Sequence, residues 1–133
     1  MPTSKKADKK QNIVLVEDDP FLIDMYMAKF TEAGYEIDVA SQGNKAMDMI
    51  KEKRPAIVLT DVVMPGLDGF ELLKLIKSDA ATKDIPVVML TNLGQQEDID
   101  KAKGLGASDY LVKAHFTPSE VVAKVKAILG GLK

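Results

Sequence analysis

The chain has 133 residues, 46% of them hydrophobic and 29% charged, with a net charge of −2 and no cysteine. That length and balance suit one soluble globular domain with a real core, and the charge gives no broad footprint for nucleic acid. Disulfides and thiolate metal sites are excluded, no apolar run reaches the ~20 residues needed to cross a bilayer, and the N-terminus lacks the apolar stretch of a signal peptide, so a cytoplasmic address is expected.

Residues 1–11, MPTSKKADKKQ, are lysine-rich with almost nothing to bury. They read as a disordered, solvated tail, the other use of such a segment being a nucleic-acid arm or an anionic-lipid contact. From there the chain alternates. Short apolar runs rich in β-branched residues stand at Ile13–Val16, Ile37–Ala40, Ile57–Leu59, Val87–Leu90 and Tyr110–Val112. They are too continuous to keep one wet face, which suits parallel strands covered on both sides.

Each run is followed by a helix-period segment. The expected stripes are Ile23, Met27 and Phe30; Ala46, Met47 and Ile50; Leu72, Leu73 and Ile76; Ile99, Ala102 and Leu105; and Val121, Val122, Val125 and Leu129. Asp19-Pro20 places a capping acceptor before a proline at the first helical position. Asp68 to Glu71 and Thr117 to Glu120 have capping-box spacing, while Gly34, Gly104 and Gly106 mark helix ends. The order of elements implies a parallel sheet with helices on both faces, because crossovers are right-handed. Sites in such sheets lie at the carboxyl ends of the strands, near the switch in strand order.

The first strand ends in Glu17-Asp18-Asp19. Asp19 is explained as a helix cap; Glu17 and Asp18 are not, and hard oxygens of this kind suit Mg²⁺ or Mn²⁺. An acidic loop by itself also fits a solvated turn. The third strand ends in Asp61, which is costly to desolvate unless paired. In the common strand order 2-1-3-4-5 the first and third strands are neighbours, ~4.8 Å apart, so Asp61 would stand near Glu17 and Asp18. Asp68 fills the capping post better than Asp61 does. The fourth strand ends in Thr91-Asn92 and the fifth in Lys113. Thr91 alone fits ordinary strand chemistry, and Lys113 alone could be snorkelling to water. Together these acids, a hydroxyl and an ammonium occupy the ends of the first, third, fourth and fifth strands.

Carried by VEDD at 16–19, TDVVMPGLDG at 60–69, the Thr of VVMLTN at 87–92 and the Lys of DYLVK at 109–113, residues 12–130 resemble a response-regulator receiver domain of two-component signalling. The resemblance implies a flavodoxin-like, doubly wound (βα)5 fold, with residues 131–133 as a C-terminal tail and no effector domain. It implies Asp61 as phosphoryl acceptor, Asp18 as direct ligand to Mg²⁺ (Mn²⁺ could substitute), Glu17 holding the metal through water, and the Val63 carbonyl as a further oxygen. Thr91 and Lys113 take the places that contact phosphoryl oxygens, and Thr91 and Tyr110 those of the switch residues.

Partners implied are a histidine kinase or histidine phosphotransfer protein and a downstream protein, met through the fourth helix, fifth strand and fifth helix. Neither direct nucleic-acid nor membrane contact is implied, and the state expected is a monomer or a phosphorylation-dependent dimer. The chain would catalyse its own phosphorylation and dephosphorylation without being a turnover enzyme. Val63 and Leu93, two residues beyond Asp61 and Thr91, are apolar and cannot orient a water, so a long-lived phosphoryl group is expected.

The chain departs from the family at Ala114, where proline usually follows the lysine in a cis peptide, and at Asn92, where a small residue is usual. A cis bond without proline costs ~2.5–4 kcal/mol, so Lys113–Ala114 is expected to be trans and the loop through His115 to take its own path. His115 is the only histidine, which excludes a multi-histidine metal site. Rival readings are a pseudo-receiver that no longer takes phosphate and an aspartyl-nucleophile phosphatase of the haloacid dehalogenase type. The second needs an aspartate where Val63 stands, and the first is disfavoured by the retained acids, Thr91 and Lys113. A flavodoxin-like cofactor site lacks its phosphate loop, and Gly104-Leu-Gly106 lacks the last glycine of a dinucleotide fingerprint.

Overall fold

A computed structural model describes residues 10–130. The expectations for residues 1–9 of the tail and for 131–133 lie outside the described residues. Strands β1 (Asn12–Val16), β2 (Glu36–Ala40), β3 (Ile57–Thr60), β4 (Val87–Thr91) and β5 (Asp109–Val112) alternate with helices α1 (Pro20–Glu32), α2 (Gly43–Lys53), α3 (Gly69–Ser78), α4 (Gln96–Gly104) and α5 (Pro118–Gly130). The sheet is parallel throughout and its order is β2-β1-β3-β4-β5. The expected doubly wound architecture is the one observed.

The strands work as two-sided walls because successive side chains point to opposite faces. Ile13 and Leu15 of β1 join Ile57, Leu59, Val88, Leu90 and Leu111 in the core under α1 and α5. Val14 and Val16 face the other way, with Val58, Val87 and Met89, toward α2, α3 and α4. Every residue of the central strands β3 and β4 is buried, whereas the edge strands β2 and β5 are only partly so. That difference explains why the inner runs read as continuous apolar sequence.

The helix starts carry the expected chemistry. Asp19 accepts from the Phe21 N–H with Pro20 at the first position, Asp68 and Glu71 close a capping box, and Thr117 and Glu120 close another. One expected stripe is corrected. On α1 the buried residues are Tyr26 and Phe30, with Leu22 packed beside them, while Met27 is 37% exposed. The Tyr26 ring joins the core with Phe30, and the helix is rotated by about one residue from the expected phase. The other expected stripes face the core, except that Ile99 of the fourth lies only half-buried and outside both core clusters.

Beyond α3, the Lys77 ammonium donates to the Lys83 and Ile85 carbonyls and ties the connection into β4. No helix among the described residues is long and apolar enough to cross a membrane.

Candidate functional site

Strand ends converge because the ladder runs past them. The Glu17 N–H donates to the Ala40 carbonyl and the Asp61 N–H to the Val16 carbonyl, both at 3.0 Å. The residues that leave β1 and β3 are therefore still clamped by backbone bonds when their carboxylates emerge. Both are nearly closed off: Glu17 is 2% exposed and Asp61 9%. Asp18, the next residue along, is exposed.

An open pocket of about 440 Å³ lies over these strand ends, lined by Glu17, Asp18, Asp19, Leu22, Asp61, Val63, Thr91, Asn92, Leu93 and Lys113. It gathers every residue expected at the site except Tyr110. Buried charge demands a partner, and Lys113 supplies it. Its ammonium reaches Glu17 Oε1 at 2.6 Å and Asp61 Oδ2 at 2.7 Å. Burial works against the ammonium, but the hydrogen bonds and charges of Asp61 and Glu17 outweigh it and hold Lys113 above the ordinary lysine value. The bridge to Glu17 was not legible in the sequence.

The remaining oxygens are committed to backbone. Asp61 Oδ1 accepts from the Val62 N–H at 2.6 Å and the Val63 N–H at 3.3 Å, and Glu17 Oε2 accepts from the Asp19 N–H at 3.2 Å. The Asp61 carboxylate is thus oriented by donors on both oxygens. Thr91, 1% exposed at the end of β4, accepts from the Leu93 N–H at 3.3 Å. Tyr110 lies half-buried behind that turn, and its hydroxyl donates to the Leu93 carbonyl at 2.6 Å. Burial, with the charges of Asp98 and Asp61, pushes its phenol up to about 12. Among the described residues no peptide bond is cis, so Lys113–Ala114 is trans as expected, and Lys113–His115 forms a single 3-10 turn.

Sequence reading missed the glycines that seat the 62–68 loop. A Cβ on Gly69 would overlap the Asp61 carbonyl oxygen, and one on Gly43 would overlap the Leu67 carbonyl oxygen. The Gly69 N–H also donates to the Val62 carbonyl at 2.8 Å. Gly69 stands in the TDVVMPGLDG motif and inside a capping box, but its seating role gave no signal, nor did that of Gly43, because each contact depends on how the chain folds back on itself.

The donor set fits a hard divalent cation. Four carboxylates, those of Glu17, Asp18, Asp19 and Asp61, line the pocket against the single ammonium of Lys113, which leaves an excess of negative charge and only oxygen ligands. No three acidic or histidine side chains among the described residues are drawn tightly enough to cage an ion by themselves. Mg²⁺ does not need such a cage, since it keeps several waters and takes one or two carboxylates.

Comparison with known proteins agrees with this geometry. The family model described as "response regulator receiver domain" matches residues 13–126. The phosphate regulon transcriptional regulatory protein PhoB of Klebsiella pneumoniae is 36% identical over 119 residues, covering 90% of this chain and 52% of that protein. The BeF3-activated N-terminal receiver domain of Klebsiella pneumoniae RstA superposes with a TM-score of 0.82 at 30% identity, covering 89% of this chain and 97% of that one. The receiver domain of the sensor histidine kinase PA1611 from Pseudomonas aeruginosa PAO1, solved with a magnesium ion in its active-site cleft, gives 0.83 at 27% identity over 92% of this chain and 99% of that one. The chain spans about half the length of the curated relatives it matches.

Proposed function

Because this chain belongs to the response regulator receiver domain family, we propose that residues 12–130 take a phosphoryl group onto Asp61 from a phosphohistidine of a histidine kinase or phosphotransfer protein. An Asp61 carboxylate oxygen attacks phosphorus, the new O–P bond forms as the P–N bond breaks, and the imidazole leaves with the electron pair. Water later attacks the acyl phosphate and returns the carboxylate. The protein is a signalling acceptor and does not turn over an external substrate.

The observation that supports this most directly is the Lys113 ammonium joining Asp61 to Glu17 at the carboxyl edge of the sheet. A carboxylate nucleophile must stay ionised while an anionic donor approaches, and a neighbouring ammonium offsets that repulsion and follows the charge onto the transferring oxygens. Thr91 sits at the same rim, where its hydroxyl is available to a phosphoryl oxygen. Asp18 and Asp61, with the Val63 carbonyl and with Glu17 acting through water, would hold Mg²⁺ or Mn²⁺. The cation, when bound, neutralises charge on the phosphoryl oxygens.

Tyr110 and Thr91 share the Leu93 turn, so a change of hydrogen bonding at Thr91 has a short route to the surface of α4, β5 and α5, where a downstream protein would be met. The test is mass spectrometry after incubation with Mg²⁺ and acetyl phosphate. One phosphoryl group should be gained on Asp61, and Asp61→Asn should remove the gain. Wild-type modification at another residue refutes the acceptor assignment.

A further inference from the structure

We propose that the Asn92 carboxamide is a phosphoryl-binding group. It donates to the outward-facing oxygen of a phosphoryl carried by Asp61 and slows the loss of that group to water. The inference rests on Asp61 being the acceptor.

A phosphoryl group brings strong acceptor oxygens and close to two negative charges. Of the residues that line the pocket, Glu17, Asp18, Asp19 and Asp61 have acceptor side chains, and the side chains of Leu22, Val63 and Leu93 carry neither donor nor acceptor. Only Lys113, Thr91 and Asn92 carry donors. Lys113 is divided between Glu17 and Asp61. Thr91 is 1% exposed and belongs to the floor. Asn92 is exposed, and its carboxamide is the one neutral N–H donor among the side chains of the lining residues.

Its backbone is also fixed before any phosphoryl arrives. Thr91 pairs with Val112 in the sheet. The Leu93 N–H is held by Thr91 Oγ1, and the Leu93 carbonyl receives the Tyr110 hydroxyl. Asn92 lies between these anchors, so only its side-chain torsions remain to be set, a small ordering cost. A hydrogen bond from a preset amide to a charged oxygen is stronger than one between neutral groups. The same side chain, bent over the phosphoryl, occupies the solvent side along which water enters.

The experiment compares wild type with Asn92→Ala, Asn92→Leu and Asn92→Asp. Each protein is loaded with acetyl phosphate and Mg²⁺, the donor is removed, and loss of the phosphoryl is followed by mass spectrometry. Fluoroberyllate affinity is measured alongside by fluorine NMR. Asn92→Ala and Asn92→Leu should lose the phosphoryl roughly threefold to tenfold faster, the size of one hydrogen bond, and should bind fluoroberyllate correspondingly more weakly. Asn92→Asp, with the same shape but a charged acceptor, should load slowest of the four.

Loss from Asn92→Ala within roughly twofold of wild type overturns the proposal. So does wild-type persistence in Asn92→Leu, since leucine fills the space without donating. Wild type that gains no phosphoryl sinks the acceptor reading and this inference together, whereas normal loading with unaltered loss sinks this inference alone.

Discussion

Lys113 Nζ stands 2.6 Å from Glu17 Oε1 and 2.7 Å from Asp61 Oδ2, so one ammonium bridges two carboxylates that the sheet brings side by side. All three side chains are nine-tenths buried or close to it. Lys113→Met should therefore destabilise the fold by about 3–5 kcal/mol, because it leaves buried charge without compensation. The double variant Lys113→Met/Glu17→Gln should recover part of that loss, since the stranded negative charge is halved. Urea unfolding of the two single variants and the double gives the coupling directly, and simple additivity would contradict the bridge.

Alkaline pH should weaken the fold by a calculable sign. Burial raises the phenols of Tyr26 and Tyr35, and Tyr110 is pushed up to about 12. Lys113 is also held above its ordinary value. Between the unfolded values, near ~10 for tyrosine and ~10.4 for lysine, and these higher folded ones, the native state binds more protons than the unfolded chain. Stability from these groups is complete below the unfolded values and is lost as pH rises through the folded ones. Lys77, which burial pulls down, acts in the opposite sense. The urea midpoint should fall above pH ~10, and native phenolate absorbance should lag that of the protein in urea. Coincident phenolate curves would contradict the burial argument.

Gly69→Ala should cost about 1–3 kcal/mol, the usual range for overpacking. Its new methyl meets the Asp61 carbonyl and the Val62 Cα, both of them backbone that no rotamer change can move aside. Gly34→Ala introduces no such clash, although its positive φ of 98° strains any side chain, so the two separate packing from conformational strain. Phosphoryl gain at Asp61 should fall in Gly69→Ala and persist in Gly34→Ala, read by the same mass spectrometry.

Asp18→Asn should weaken Mg²⁺ binding while leaving the unfolding free energy within about ±0.5 kcal/mol of wild type, as expected for an exposed residue. Calorimetric titration with MgCl₂ checks the first expectation. Unchanged affinity would remove Asp18 from the cation site.

Val63→Asn should shorten the life of the phosphoryl group. Val63 is 63% exposed, so the fold tolerates the change, and its carbonyl is retained. An amide beside the approach to Asp61 can orient a water where valine cannot. Equal lifetimes in the two proteins, or a wild-type half-life of only seconds, would refute the role given to the apolar flank of Val63 and Leu93.

The strands were legible because buried parallel strands must be apolar on both faces, and Ile13–Val16 or Val87–Leu90 admits little else; their order came only from the arrangement common to such folds. Capping at Asp19, Asp68 and Thr117 was legible because a cap is a local matter of a few residues. The phase of α1 was not. Met27 and Tyr26 compete for the inner face, and the choice depends on how the tyrosine ring seats in the core beside Phe30 and the strands, which no local pattern encodes. The chemical types at the site were legible from the strand ends. Their pairing was not, because Glu17 meets Lys113 only through the arrangement of the whole sheet.

That pairing spans 96 residues of sequence, from the first strand to the turn after the last. A polypeptide that has been synthesised only as far as β4 already contains Glu17 and Asp61 but not the ammonium that reconciles them. Closing so distant a contact is slow, because the entropy of ordering the intervening chain is spent before the contact returns anything. The incomplete domain therefore carries two neighbouring carboxylates without their counter-charge, and β5 brings neutralisation along with its share of the core. Folding of this domain should gain its last cooperativity when Lys113 arrives, which couples completion of the fold to completion of the acceptor site in one event.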